Sequence, residues 1–82
     1  MAVFVVPPAL EAELGQDVVR SDAPDVASLL AEVRLRLSVE RQALLERGAL
    51  LVNGRSIHRL RGLDTPLAPE DQVWLVFPAA GG

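Results

Sequence analysis

Cysteine, lysine and tyrosine are all missing from this 82-residue chain, which also has a single histidine. Without cysteine the chain forms no disulfide bond, binds no metal through thiolates and has no cysteine nucleophile. Without lysine it cannot build isopeptide-linked chains on its own side chains. Few groups remain that could act as a catalytic acid, base or nucleophile. We therefore predict a protein that is not an enzyme, with no catalytic residue and no metal site.

Long hydrophobic runs and an excess of basic charge are absent as well. No stretch approaches the roughly 20 apolar residues of a membrane helix, and the first residues lack the pattern of a signal peptide. The formal net charge of -3 argues against a nucleic-acid-binding domain, since such domains usually carry a basic excess. We expect one cytoplasmic domain with neither a membrane nor a nucleic-acid partner.

What the chain does contain is the apolar pattern of an α+β domain. The run at 2–6 predicts a strand that ends at Pro7-Pro8, where the proline rings block a helix, and 16–20 predicts its hairpin partner beyond an exposed loop. Apolar residues spaced i, i+3, i+4 and i+7 from Val26 to Leu37 predict the principal helix.

The second half of the chain predicts a short helix and three further strands. Ser38 is a predicted N-cap for a helix over 39–47, and Gly48 is predicted to end it in a left-handed turn. Asn53-Gly54 predicts a hairpin turn between strands at 49–52 and 55–57. One helical turn is expected near residue 63, and a last strand at 72–77.

The first and last predicted strands are the most apolar, which predicts that they are central, adjacent and parallel. Alternation places successive side chains on opposite faces of a sheet. If Val73 faces the helix together with Val3, then the open face carries Phe4, Trp74 and Val76. An exposed apolar surface of that kind usually binds a partner. Loops or an oligomer contact could cover it instead, or the alternation could be reversed.

Three arginines, Arg55, Arg59 and Arg61, lie close together after the hairpin turn. They form a possible basic docking patch for an acidic partner, or a surface that is only solubilising. His58 lies among them and is expected to be a solvated surface residue.

The carboxyl-terminal residues predict a different kind of segment. Gly81-Gly82 follows the small residues Pro78, Ala79 and Ala80, so we expect a globular domain over 1–77 and a flexible tail over 78–82. The α-carboxylate of Gly82 is an anion at neutral pH, because its reference pKa is about 3.3 to 3.7. It must be activated by another protein before it can react, and the absence of a Cβ suits glycine to a narrow active site.

These residues resemble the family of ubiquitin-like sulfur carriers that includes MoaD and ThiS. The resemblance rests on the segments 51–55 (LVNGR), 62–67 (GLDTPL) and 71–73 (DQV), and on the ending 77–82 (FPAAGG). It implies a β-grasp fold with a mixed sheet of four to five strands and one main helix on one face. It also implies that a MoeB- or ThiF-type adenylyltransferase, using ATP and Mg, activates Gly82, which then carries sulfur as a thiocarboxylate.

The family resemblance leaves several destinations for the sulfur. Length and the segment 64–67 favour a MoaD-like role, in which the chain is the small subunit of molybdopterin synthase and inserts its tail into a MoaE-type large subunit. ThiS-like carriers and carriers for cysteine synthesis or tRNA thiolation are alternatives. A ubiquitin-like protein modifier and a binding module with an incidental tail also remain open.

Overall fold

The computed structural model describes residues 1–77, in which five strands form one mixed sheet. The strands are β1 (Ala2–Val5), β2 (Val18–Ser21), β3 (Ala49–Val52), β4 (Arg55–Ser56) and β5 (Gln72–Val76). Their order in the sheet is β2-β1-β5-β3-β4. β1 and β5 are parallel neighbours, as predicted, and the other three pairs are antiparallel.

Residues 1–77 also contain three α-helices. They are α1 (Pro8–Leu14), α2 (Val26–Arg34) and α3 (Val39–Arg47), with 3₁₀ turns at Ile57–Arg59 and Gly62–Asp64. α2 is the principal helix and buries Val26, Leu29 and Val33 completely in the core. It ends three residues earlier than predicted, but Leu37 remains buried beyond it. No helix in this part of the chain is long and apolar enough to cross a membrane.

Helix α1 was not predicted, because Pro7-Pro8 was taken to block a helix. Pro8 instead occupies the first helical position, where its missing N–H would have had no intrahelical partner in any case. Leu10 and Leu14, four residues apart, both point into the core. The predicted loop is therefore a short amphipathic helix that covers one end of the core.

Helix α3 begins at the predicted N-cap, and its start is joined to α1. The Ser38 hydroxyl accepts a hydrogen bond from the Arg41 N–H at 3.3 Å. The Glu13 carboxylate, from α1, accepts hydrogen bonds from the Ser38 N–H at 2.7 Å and from its hydroxyl at 2.8 Å. The hydrogen bonds from the Ser38 N–H and then from its hydroxyl lower the pKa of Glu13; desolvation opposes them, and the charge of Arg41 adds the smallest contribution. This contact fixes the two helices relative to each other.

Gly48 ends α3 for a reason other than the one predicted. Its φ of -88° and ψ of 164° are extended, so the predicted left-handed turn is wrong. A Cβ at this position would collide with Leu75 Cδ1 and would lie 3.0 Å from the Val76 carbonyl oxygen. Glycine fits here because the end of α3 packs directly against the last two residues of β5, and a larger residue would require Leu75 to shift or to be smaller.

The hairpin turn Asn53-Gly54 is confirmed, with φ values of 52° and 85°. The Asn53 side chain also reaches the neighbouring strand. Its carbonyl oxygen accepts a hydrogen bond from the Gln72 N–H at 2.9 Å, and its amide donates to Asp71 Oδ1 at 2.9 Å. The turn between β3 and β4 thus fixes the point at which β5 begins.

Candidate functional site

The open face of the sheet is apolar along its centre. Trp74 lies between Val5 of β1 and Leu51 of β3, its partners in the two neighbouring strands. The Trp74 side chain is 41% exposed, and Val76, on the same face of β5, is 39% exposed. Cross-strand neighbours of this kind form a continuous surface. We define the apolar face by these four residues: Val5, Leu51, Trp74 and Val76.

Phe4 does not belong to the apolar face, and its predicted position is wrong. It is the parallel-sheet partner of Val73, and both side chains are fully buried beneath the helices. The strand 2–6 is apolar at every position, so its own sequence gives no period that distinguishes the two faces. The half-buried Val3 and Val5 occupy the open face in place of Phe4.

Two residues of the apolar face, Val5 and Leu51, were not predicted from the sequence to lie on it. Leu51 and Val5 are half-buried because each lies directly beside Trp74. No sequence signal singles out Leu51, because β3 is apolar at every position; only the structure shows that Leu50 and Val52 are buried and Leu51 is half-buried. The register between strands, which a single sequence does not supply, was needed to place Val5.

The apolar face continues to the end of β5, close to Phe77, the last residue that the structure describes. Val76 pairs with Ala49, and Gly48 packs against both Leu75 and Val76. Phe77, the last described residue, is 37% exposed. The predicted tail residues Pro78, Ala79, Ala80, Gly81 and Gly82 lie outside the described residues. A partner that bound the apolar face would therefore contact the strand from which these residues extend.

The three arginines of the predicted basic patch do not all lie in one site in the structure. Arg55 and Arg61 line one cleft, together with Val52, Asn53, Leu60, Thr65, Pro66 and Asp71. Arg59 is exposed but is not among the residues that line it. His58 is exposed, as predicted, and its backbone N–H donates to the Ser56 hydroxyl at 3.2 Å. Two of the three arginines therefore line the same cleft.

Residues 1–77 show no cluster of three or more histidine, aspartate or glutamate side chains that could bind a metal ion. All buried side-chain polar atoms among these residues have a hydrogen-bond partner. No unsatisfied buried group therefore indicates a resident cofactor in this part of the chain.

Comparison with known proteins places the chain among small carriers. The model of the ThiS family matches residues 6–82. The curated proteins include no match to the sequence.

Three solved structures share the fold over nearly all of their length. A chain of the BexX/CysO complex of Amycolatopsis orientalis is 18% identical, with a TM-score of 0.82 and complete coverage of both chains. CysO of Mycobacterium tuberculosis, described as an antigen, is 17% identical, with a TM-score of 0.80 over 96% of this chain and 100% of that one. Small archaeal modifier protein 1 of Methanosarcina acetivorans is 19% identical, with a TM-score of 0.81 over 99% and 95% of the two chains. These likenesses establish the β-grasp fold that the resemblance implied.

Proposed function

Because this chain belongs to the ThiS family of ubiquitin-like sulfur carriers, we propose that the carboxylate of Gly82 is the group that carries sulfur. The observation that supports this most directly is the family match, which extends through residue 82. The chain itself acts as a carrier, and the chemistry takes place in the active sites of its partners. We propose a cytoplasmic location for the chain because its activating partner uses ATP.

The proposed reaction has two steps. The Gly82 carboxylate attacks the α-phosphorus of ATP in the activating enzyme, which releases pyrophosphate and forms an acyl adenylate. A sulfide then attacks the carbonyl carbon, and AMP leaves with the C–O bonding electrons. The product is a thiocarboxylate. Activation is necessary because the carboxylate, with a reference pKa of about 3.3 to 3.7, is an anion and a poor electrophile at neutral pH.

We assign partner binding to the apolar face beside β5. Trp74 is a large aromatic residue at its centre, and aromatic residues are enriched among those that contribute most to interfaces. The face is continuous with the strand that leads to the tail, so a partner bound there holds the tail close to its own active site. We propose a MoeB- or ThiF-type adenylyltransferase, with ATP and Mg, as the first such partner.

The destination of the sulfur is a separate proposal. The segment 64–67 supports a MoaD-like carrier that donates sulfur to a molybdopterin precursor within a synthase completed by a MoaE-type subunit. Two of the similar structures carry the name CysO, which makes transfer toward cysteine synthesis a competing destination. Incubating the thiocarboxylate form with each acceptor system and following the loss of sulfur from the carrier distinguishes them.

A second candidate function is attachment to proteins. The similar archaeal structure is named a small modifier protein, and this chain has no lysine on which a chain of modifiers could grow. In this case the activated Gly82 carboxyl forms an amide with a lysine of a target protein.

Intact-mass measurement tests the proposed function. The chain is incubated with its adenylating enzyme, MgATP and sulfide, and a gain of about 16 Da, the replacement of one oxygen by sulfur, is expected. Omission of ATP is the control and leaves the mass unchanged. Adducts with the mass of a target protein indicate the modifier instead. An unchanged mass with an active adenylating enzyme contradicts both functions.

Replacing Trp74 by glutamate is expected to weaken binding of the adenylating enzyme by roughly 30-fold, which corresponds to about 2 kcal/mol. A charge placed at the centre of the apolar face would be desolvated without a partner on binding. Titration calorimetry with the adenylating enzyme gives the affinity.

Val39→Glu is the matched control, since Val39 lies on α3 and is 79% exposed. This substitution adds the same charge away from the apolar face. The affinity of the variant for the adenylating enzyme should equal that of the original chain. A large fall in the melting temperature of the Trp74→Glu variant, rather than in its affinity, would assign Trp74 to the core.

A further inference from the structure

The cleft between the Asn53-Gly54 turn and residues 60–66 has no role in the proposed sulfur chemistry. It has a volume of about 720 Å³ and lies beside β4 at the edge of the sheet. Val52, Leu60 and Pro66 supply its apolar surface, and Arg55 and Arg61 are its cationic groups. It thus combines an apolar floor with two guanidinium groups, which can form paired hydrogen bonds with carboxylates.

The walls of the cleft are held by hydrogen bonds. Thr65 is only 5% exposed; its hydroxyl donates to the Gly62 carbonyl at 2.7 Å and accepts from the Arg61 N–H at 3.0 Å. Its own carbonyl accepts from the Val26 N–H at 3.0 Å, which joins this wall to α2. The backbone that carries Arg61 is therefore fixed relative to the core.

The opposite wall is the beginning of β5. Asp71 is the acidic residue of the cleft, and both its carboxylate oxygens are occupied. Oδ1 accepts from the Asn53 side chain at 2.9 Å, and Oδ2 accepts from the Ala68 N–H at 2.8 Å. Asp71 therefore supports the wall and forms no salt bridge with either arginine.

Neither arginine of the cleft forms a salt bridge. Within residues 1–77 the only salt bridge joins Arg41 of α3 to Glu13 of α1. Arg55 and Arg61 are exposed, and three of the eight arginines lie within residues 55–61 of a chain whose formal net charge is -3. The cleft thus holds two arginines against the single carboxylate of Asp71, and its net positive charge favours an anionic ligand.

We propose that this cleft binds an acidic peptide segment of a partner protein, with a carboxylate between Arg55 and Arg61 and an apolar side chain on Leu60 and Pro66. Leu60 is 36% exposed and offers apolar surface that such a side chain would cover. The proposal does not depend on sulfur transfer.

The position of the cleft makes it compatible with partners that receive the tail. Asp71 precedes β5 and Phe77 follows it, so the two ends are about 20 Å apart along an extended strand. A peptide in the cleft therefore lies at the opposite end of β5 from Phe77. One partner could hold both ends of β5, or two partners could bind together.

The test uses a fluorescein-labelled peptide of alternating glutamate and leucine, titrated into the ¹⁵N-labelled chain. The largest amide shift changes are expected at Leu60, Arg61, Thr65 and Asp71. Two control peptides, of alternating lysine and leucine and of alternating glutamate and serine, should bind at least tenfold more weakly. Equal binding of either control, or no shift changes in the cleft at millimolar peptide, would overturn the proposal.

A variant pair assigns the effect to the two arginines. The double variant Arg55→Gln/Arg61→Gln is expected to lose at least tenfold in affinity by fluorescence anisotropy. Arg20→Gln/Arg34→Gln removes the same charge from exposed positions elsewhere and should retain the affinity. Equal losses of peptide affinity in the two double variants would show that only the net charge of the protein matters, and would overturn the proposal. Tighter binding of single-stranded RNA than of the acidic peptide in the same cleft would also overturn it.

Discussion

Replacing Phe4 by alanine is expected to lower the free energy of unfolding by about 3–5 kcal/mol, the usual cost of removing a buried phenylalanine. Phe4 is fully buried beside Val73, so its removal leaves a cavity that the surrounding sheet and helices cannot readily fill. An 82-residue domain has a total stability on the order of 4–12 kcal/mol, so the loss is a large part of the whole. Urea unfolding monitored by circular dichroism measures it.

Val5→Ala is the control for this prediction. Val5 is the next residue of the same strand, but it lies half-buried on the open face beside Trp74. Its truncation removes fewer atoms from a less buried site and should cost about 1 kcal/mol. If Val5→Ala proves more destabilising than Phe4→Ala, then β1 has the opposite orientation, with Phe4 on the open face as its sequence suggested.

Deleting Gly82 is expected to reduce the rate of thiocarboxylate formation by at least about 100-fold. The deletion moves the terminal carboxylate back by one residue, about 3.5 Å along an extended chain. Displacements of about 1 Å from the reacting position can already cost about 100-fold. The measurement is the rate of the mass gain of about 16 Da on the intact protein, at saturating MgATP and sulfide.

Gly82→Ala is the matched variant, because it keeps the length of the chain and the terminal carboxylate. It isolates the effect of the Cβ and should be charged faster than the deletion. The deletion should also leave the midpoint of urea unfolding unchanged. Charging of the deletion variant at the original rate would contradict the assignment of Gly82 as the sulfur-carrying residue.

Local signals in the sequence were sufficient for much of the fold. Ser38 marked the start of α3, and Asn53-Gly54 marked the hairpin, because each depends on the backbone preferences of one or two residues. The parallel pairing of β1 with β5 was predicted from the apolar character of both strands and the long crossover between them. Trp74 and Val76 are exposed on the sheet, as their alternation with Val73 and Leu75 indicated.

Local signals did not predict the features that depend on pairing with a neighbouring strand or on the residues that follow a proline. The orientation of Phe4 follows from its register with Val73, and nothing within 2–6 distinguishes the two faces. Pro8 was compatible with a break or with a helix start, and only the burial of Leu10 and Leu14 decides between them. The cleft exists because residues 60–66 pack near the hairpin turn, so the run of arginines predicted a patch but no cavity.

The contact between Gly48 and β5 leads us to expect that positions 48 and 75 vary together among related chains. The space that a methyl group at 48 would need is already filled by Leu75 Cδ1, so the two positions share a fixed volume. In related chains with alanine in place of Gly48, we expect a smaller residue such as valine or alanine in place of Leu75. The same constraint makes this junction a poor place for an engineered insertion.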